Sequence, residues 1–180
     1  MQVTKAQGIV GAILAGGAAS RFGSDKAMAL LQGVPLIDHV ATALAPQADT
    51  LVVVGRPHGA LVSVPDHPAP GFGPLGAIAG ALRWARANGY AAVLSAPCDA
   101  PVLPPDLVPL LGGEGAAYVA ALPVLGWWPV TLADHLATWL ATDQPRAVRR
   151  WASAVNARAV TLPTVPPNVN TAADLAALDR

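Results

Sequence analysis

Residues 9–26 read I-V-G-A-I-L-A-G-G-A-A-S-R-F-G-S-D-K, and the reading of this stretch decides the fold. Ile9 to Leu14 is a short apolar run with turn signals directly behind it, which predicts a buried strand. Ala15 to Asp25 is a loop of Gly, Ala and Ser that carries Arg21 and runs into Lys26. Two more apolar runs follow. Thr50 to Gly55 (T-L-V-V-V-G) is β-branched, and Ala91 to Ala96 leads into Pro97-Cys98-Asp99-Ala100-Pro101; both read as strands. Between them, Leu36 to Leu44 has helical spacing and stops near Pro46. Arg56 to Phe72 is a connection rich in Pro and Gly. Gly73 to Asn88 is the clearest helix, with Leu75, Ile78, Ala79 and Leu82 on one stripe and Asn88-Gly89 as its stop.

Strands alternating with helices over the first hundred residues predict an open parallel sheet with crossover helices. Near-continuous apolar strands agree, because parallel strands are covered on both faces. Ligands on such sheets bind beyond the carboxyl ends of strands. Those ends are Leu14 to Gly17, Gly55 and Pro97 to Asp99. In the second half, Ala116 to Val124 and Trp128 to Leu132 read as strands. Asp134 to Ala141 and Pro145 to Val155 read as helices, the latter with Val148, Trp151 and Val155 on one stripe. Arg158 to Leu162 reads as a last strand and Thr171 to Leu178 as a terminal helix. No repeat or composition break divides the chain, so residues 1–180 read as one domain.

Composition narrows the function. The 180 residues are 53% hydrophobic and 12% charged, with 11 basic and 11 acidic side chains and no formal net charge. Disorder is excluded by that balance. No positive field favours nucleic acid or an acidic membrane. The mean hydropathy is +0.45, yet no apolar run reaches the roughly 18 residues of a spanning helix. Met1 to Gln7 lacks a signal-peptide layout. The single Cys98 rules out an internal disulfide or a multi-cysteine zinc site and is compatible with a cytoplasmic location. Glu114 is the only glutamate and sits in a Gly-rich turn, so any catalytic carboxylate is an aspartate.

The loop after the first strand fits neither a Walker loop, since Lys26 lies between Asp25 and Ala27, nor the dinucleotide fingerprint. Small residues followed by one Arg and one Lys suit either an anion cradle or a plain surface loop. Asp99, at a strand's carboxyl end, suits Mg²⁺ bridging phosphates or an Asx turn; Asp66 has the same two readings. Cys98 reads as a buried thiol. His39, His58, His67 and His135 form no metal-ligand pattern. The tryptophans read as core anchors, with Trp127-Trp128 also placed to line a pocket. Thr171 and Asp174 read as a helix cap. A cap leaves Asn168 and Asn170 unexplained, two amides pointing the same way from an extended segment.

Together, L-A-G-G-x-x-x-R-F-G-x-D-K, G-P-L-G at Gly73 to Gly76, P-C-D-x-P at Pro97 to Pro101 and N-V-N-T at Asn168 to Thr171 resemble the molybdenum cofactor guanylyltransferases, from about Gly8 to Leu178. The first motif is shared across a wider nucleotidyltransferase superfamily, and the last is more specific for the molybdenum branch, as is Arg146 to Trp151. The resemblance implies a three-layer α/β/α fold with a mostly parallel, Rossmann-like sheet. It implies transfer of GMP from GTP to the phosphate of molybdenum-molybdopterin, with Mg²⁺, giving the guanine dinucleotide cofactor and pyrophosphate.

Carried over by position, Leu14, Ala15 and Gly16 would contact guanine and ribose. Gly17, Arg21 and Lys26 would wrap the triphosphate, with Arg21, Lys26 and Asp99 as the catalytic set. Asp66 would contact the nucleotide, and Asp99 would hold Mg²⁺. Asn168 and Asn170 would lie on the molybdopterin side. Implied partners are proteins that deliver molybdopterin and the apo-molybdoenzymes, met transiently. The family often has an asparagine facing the nucleotide after the second strand. Here the strand ends Val54-Gly55-Arg56, so backbone or Arg56 would substitute and no residue is carried over for that contact. Leu125 to Trp128 is apolar where the resemblance implies a more polar tip. The rival readings are a molybdopterin cytidylyltransferase, though Ala15-Gly16-Gly17 is unlike the A-A-G of that branch, another nucleotidyltransferase such as one acting on a phospho-sugar or phospholactate, and a nucleotide-binding adaptor without chemistry.

Overall fold

The structure, a computed structural model, describes residues 8–16 and 25–179. In chain order it contains β1 (Ile9–Leu14), the short ribbon β2 (Leu30–Leu31) and β3 (Val34–Pro35), α1 (Leu36–Leu44), β4 (Thr50–Val54), β5 (Val62–Val64), α2 (Gly73–Ala87), β6 (Ala92–Pro97) and α3 (Leu107–Leu111). Then come β7 (Ala117–Val119), β8 (Leu122–Pro129), α4 (Ala133–Ala141), α5 (Val148–Ala154), β9 (Arg158–Val160) and α6 (Ala172–Leu178). The main sheet has seven strands in the order β5-β4-β1-β6-β8-β7-β9. β5, β4, β1 and β6 are parallel; β8 is antiparallel to both neighbours, and β7 and β9 are parallel. The expected mostly parallel sheet between helical layers is therefore present, with one reversed strand.

Alternation within the strands builds two cores. Val52 and Val54 point into the layer with α2, α4 and α5, while Val53 points to the layer with α1 and α3. β8 does the same, sending Trp128 to the first layer and Trp127 to the second. Trp128 and Trp151 are fully buried, with ring centroids 5.0 Å apart. The Trp128 Nε1–H donates to Ser95 Oγ (2.9 Å), which donates in turn to the Val124 carbonyl (2.6 Å), so a buried hydroxyl on β6 locks the antiparallel seam.

The α2 stripe of Leu75, Ile78, Ala79 and Leu82 is buried as its spacing predicts. Several other expectations need correction. Ala116 to Val124 is not one strand: the chain turns at residues 120–121 and returns as β8. Residues 130–132 form a 3-10 turn rather than a strand. The helix expected from Pro145 starts at Val148, because the preceding segment is held extended, with its Pro145 carbonyl accepting from Trp139 Nε1–H (3.0 Å). Leu125 to Trp128 is a buried interior strand, not a tip, so its apolar character is that of core and not of a pocket wall. β5, the β2–β3 ribbon and α3 are too short to leave a periodic signal. α3 begins where Leu107 N–H donates to the buried Gln47 Oε1 (2.8 Å). Among the described residues no helix is long and apolar enough to cross a membrane.

Two glycines on α2 let the chain between β5 and α2 lie against the helix. A Cβ at Gly80 would sit 2.2 Å from the Pro65 carbonyl oxygen. In a free helix Gly→Ala gains up to about 1 kcal/mol. Here the overlap reverses the sign, and Gly80→Ala lowers the melting temperature by about 3–8 °C. Thermal denaturation checks this; an unchanged or higher value would show that the Pro65 segment yields freely.

Candidate active site

The site is assembled by register. Leu14 lies opposite Val54 on one side and Pro97 on the other. Ala15 N–H donates to the Val54 carbonyl (3.0 Å) and Cys98 N–H to that of Leu14 (3.1 Å). The residues just past three strand ends therefore converge. They open on a cavity of about 340 Å³ lined by Leu14, Ala15, Gly16, Lys26, Asp99 and Asn168, among others. The backbone is packed closely there: Gly55 has φ +91°, and a Cβ on it would stand 2.6 Å from the Gly16 Cα, so only glycine fits.

Lys26 and Asp99 form an ion pair at 2.5 Å with side chains 18% and 17% exposed. The Asn168–Asn170 segment grips both partners. Asn170 Oδ1 accepts from Lys26 Nζ (2.9 Å). With the amide of Asn168 oriented nitrogen inward, its Nδ2 donates to Asp99 Oδ1 (2.5 Å). Val169 between them is fully buried, and its N–H donates to the Asp99 carbonyl (2.8 Å). Two amides on one side of an extended segment thus serve one ion pair, one amide to each partner.

The strap is fixed in turn by the start of α6. Thr171 Oγ accepts from Asp174 N–H (3.2 Å), and the Asp174 carboxylate accepts from the N–H groups of Asn170 and Thr171 (2.8 Å each). These bonds, the one from Asn170 foremost, hold the Asp174 carboxyl below its usual range. The expected cap at Thr171 and Asp174 is present, and it also orients the asparagine that holds Lys26.

Asp66 does not line the cavity. Its carboxylate lies against Gly16 and Gly55, 3.4–3.6 Å from where their Cβ atoms would be. Burial pushes its carboxyl above the ordinary value, and Oδ1 is buried with no hydrogen-bond partner among the described residues. Such an orphan carries a desolvation penalty. Gly17 and Arg21 lie outside the described residues. Cys98 lines the cavity; burial first, then the neighbouring Asp99 charge, pushes its thiol up to about 12, so it stays protonated at neutral pH.

Asp25 is not among the site residues expected from the sequence, and Arg56 enters there only as a substitute for the absent family asparagine; both line the cavity and pair with each other at 2.6 Å. The signal for Arg56 was its position just past the β4 end, the rule that singled out Asp99 past β6.

Residues 11–161 match the family model described as the MobA-like NTP transferase domain. A molybdenum cofactor guanylyltransferase from Cereibacter sphaeroides is 41% identical over 155 residues, covering 78% of this chain and 79% of that protein. One from Bradyrhizobium sp. (strain ORS 278) is 38% identical over 196 residues, covering 96% and 92%. Among solved structures, the molybdopterin-guanine dinucleotide biosynthesis protein A of Archaeoglobus fulgidus superposes with a TM-score of 0.76 at 21% identity, covering 94% of this chain and 96% of that one. The fold is that of this solved structure, and the family model defines the class as a nucleotidyltransferase. The chain belongs to the MobA-like NTP transferases, and its chemistry is nucleotidyl transfer in molybdenum cofactor biosynthesis.

Two outcomes follow from these contacts. Asp66→Asn removes the charge from a partly buried carboxylate whose Oδ1 has no partner among the described residues, so at neutral pH it leaves the melting temperature equal to or slightly above wild type; a clear drop would refute the orphan's penalty. The Asp174 carboxyl is depressed on folding. Its contribution is therefore present above the unfolded value near 3.8 and lost as pH falls through the lower folded value. Acid titration followed by amide exchange across residues 168–178 detects this as loosening below about pH 4, absent in Asp174→Asn.

Proposed function

We propose that the protein transfers GMP from GTP to the terminal phosphate of molybdopterin, releasing pyrophosphate. An oxygen of the acceptor phosphate attacks the α-phosphorus in line, one P–O bond forms, and the bond to the β-phosphate oxygen breaks. The attacking oxygen is already anionic, so no general base is needed, and the barrier is charge repulsion and misalignment. One observation carries this reading: a lysine and an aspartate held together at the converging strand ends by two asparagines, with no histidine or activated thiol beside them.

Each residue has a task. Lys26 has three N–H donors; Asp99 and Asn170 take two, leaving one for a phosphate oxygen. Asn170 keeps the ammonium aimed into the cavity. The small residues Ala15 and Gly16 let a nucleoside lie on the backbone beyond β1. Asp66, packed against Gly16 and Gly55, backs the backbone on which the nucleoside would lie. Asn168 steadies the Asp99 carboxylate on the acceptor side.

The donor set also fits a magnesium ion brought by the triphosphate. Such an ion takes most of its oxygen ligands from phosphate and water and needs one or two carboxylates. Among the described residues no cluster of three His, Cys, Asp or Glu exists to cage a resident metal, and Asp99 is the carboxylate that would hold this one. When bound, the ion neutralises phosphate charge. The dinucleotide product then passes to apo-molybdoenzymes by transient contact.

The test mixes purified protein with molybdopterin, Mg²⁺ and either GTP or CTP, and quantifies nucleotide-linked pterin and pyrophosphate. The expected product forms with GTP. Lys26→Ala and Asp99→Asn each lower kcat by about a hundredfold or more while circular dichroism shows a folded chain. Product mainly from CTP would assign the acceptor but not the donor correctly. No product from folded protein that binds GTP would overturn the reaction.

A further inference from the structure

The cavity holds four charged side chains among its described lining residues, two of each sign: Asp25, Lys26, Arg56 and Asp99. They are paired off. Lys26 meets Asp99 on the β6 side and Arg56 meets Asp25 on the β4 side. The first pair is gripped by Asn168 and Asn170. Among the described residues nothing comparable grips the second, which is more exposed, at 26% for Arg56 and 48% for Asp25.

Arg56 uses only part of its hydrogen-bonding capacity there. Nη1 donates to Asp25 (2.6 Å), whereas the buried Nε–H has no partner among the described residues. Only two buried side-chain atoms among those residues share that state, and the other is Asp66 Oδ1, packed against Gly55 next to Arg56. Guanidinium N–H groups are placed in a rigid fork, so the bond from Nη1 to Asp25 leaves the other donors of Arg56 outside that pair. The Arg56 charge also acts along the cavity towards the β6 end, since it is one of the two cations that oppose the rise of the Cys98 thiol, Lys26 being the other. An arginine lining the cavity, with donors beyond those its half-exposed counter-ion uses, suits a polyanion with paired oxygens.

We propose that Arg56 is a second phosphate-binding cation of the nucleotide site and that Asp25 is its internal counter-ion, displaced when a triphosphate enters. The inference rests on the nucleotide reading given above. Asp25 keeps the guanidinium extended over the cavity without a ligand, and the triphosphate then competes for the same donors. The two residues therefore have opposite effects. Removing Arg56 weakens phosphate binding, and neutralising Asp25 strengthens it. A plain structural staple between the Asp25 segment and β4 gives the same sign for both.

Isothermal titration at fixed salt, with GTP, inorganic pyrophosphate and guanosine as probes, separates these cases. Arg56→Ala weakens GTP and pyrophosphate by about ten- to a hundredfold, the range for charge-assisted bonds, and leaves guanosine within about twofold. Asp25→Asn tightens GTP and pyrophosphate several-fold. Arg56→Lys, which keeps the charge without the fork, falls between wild type and Arg56→Ala, and with Asp25→Asn it carries the test should Arg56→Ala not fold. Unchanged GTP binding in both arginine variants, an equal loss for guanosine, or weaker binding in Asp25→Asn overturns the proposal. Wild-type protein that binds no nucleotide overturns the nucleotide reading itself, and that result is seen before any variant is made.

Discussion

The pairing of β1 with β4 on one side and β6 on the other is the constraint from which the site follows. All three strands run the same way and are buried on both faces, so none can end until its chain reaches the same edge of the sheet. The register then fixes which residues emerge together: Ala15 and Gly16, Gly55 and Arg56, Cys98 and Asp99. Neighbouring strands lie about 4.8 Å apart, so β4 and β6 are about 10 Å apart across β1, and the cavity above them spans that gap. The close approach of Gly55 to Gly16 leaves no room for side chains at its floor. A ligand there meets backbone below and charge at either end.

Charge is scarce in this chain, and much of it is spent at this edge. Lys26 is the only lysine among the described residues, and it is held by an aspartate and an asparagine at once. The asparagine is held by the cap of α6, a helix that buries none of its own residues. That helix is kept in place by polar contacts: the Asp174 bonds at its start and Gln32 N–H donating to Asp179 Oδ1 (3.0 Å) at its end. Leu175 and Leu178 add partial packing against Leu31, Leu36 and Val169. The β2–β3 ribbon, the strap and α6 thus form a small unit that positions Lys26 and Asp99 on modest apolar support. The buried orphans at Arg56 and Asp66 are of a different kind. Among the described residues neither atom has a partner, and such groups are unfavourable in the protein by itself.

Much of this was legible in the chain. β1, β4, β6, α1 and α2 announce themselves because a strand buried on both faces must be apolar throughout, and α2 must present its 3.6-residue stripe to the sheet. Asp99 at a strand exit and Lys26 at the end of the Gly-rich loop each keep an ordinary loop reading until the four motifs are taken together, whereas the two asparagines stand out because a helix cap does not explain a same-side pair. The second half was read less well. Trp127 and Trp128 belong to opposite faces of one interior strand, a fact that depends on β8 pairing with β6 across a reversal the local pattern does not encode. Pro145 suits a helix start, but Trp139 holds its carbonyl in an extended segment.

By itself the sequence determined the class of fold, the strand ends on which the cavity opens, and the residue types available for chemistry, since these follow from local periodicity and composition. Only the tertiary structure decided which charges neutralise one another. Lys26 and Asp99 are 73 residues apart, Lys26 and Asn170 are 144 apart, and Arg56 and Asp25 are 31 apart. Ion pairing depends on distance through space, and those distances are set by sheet order and register rather than by any spacing along the chain.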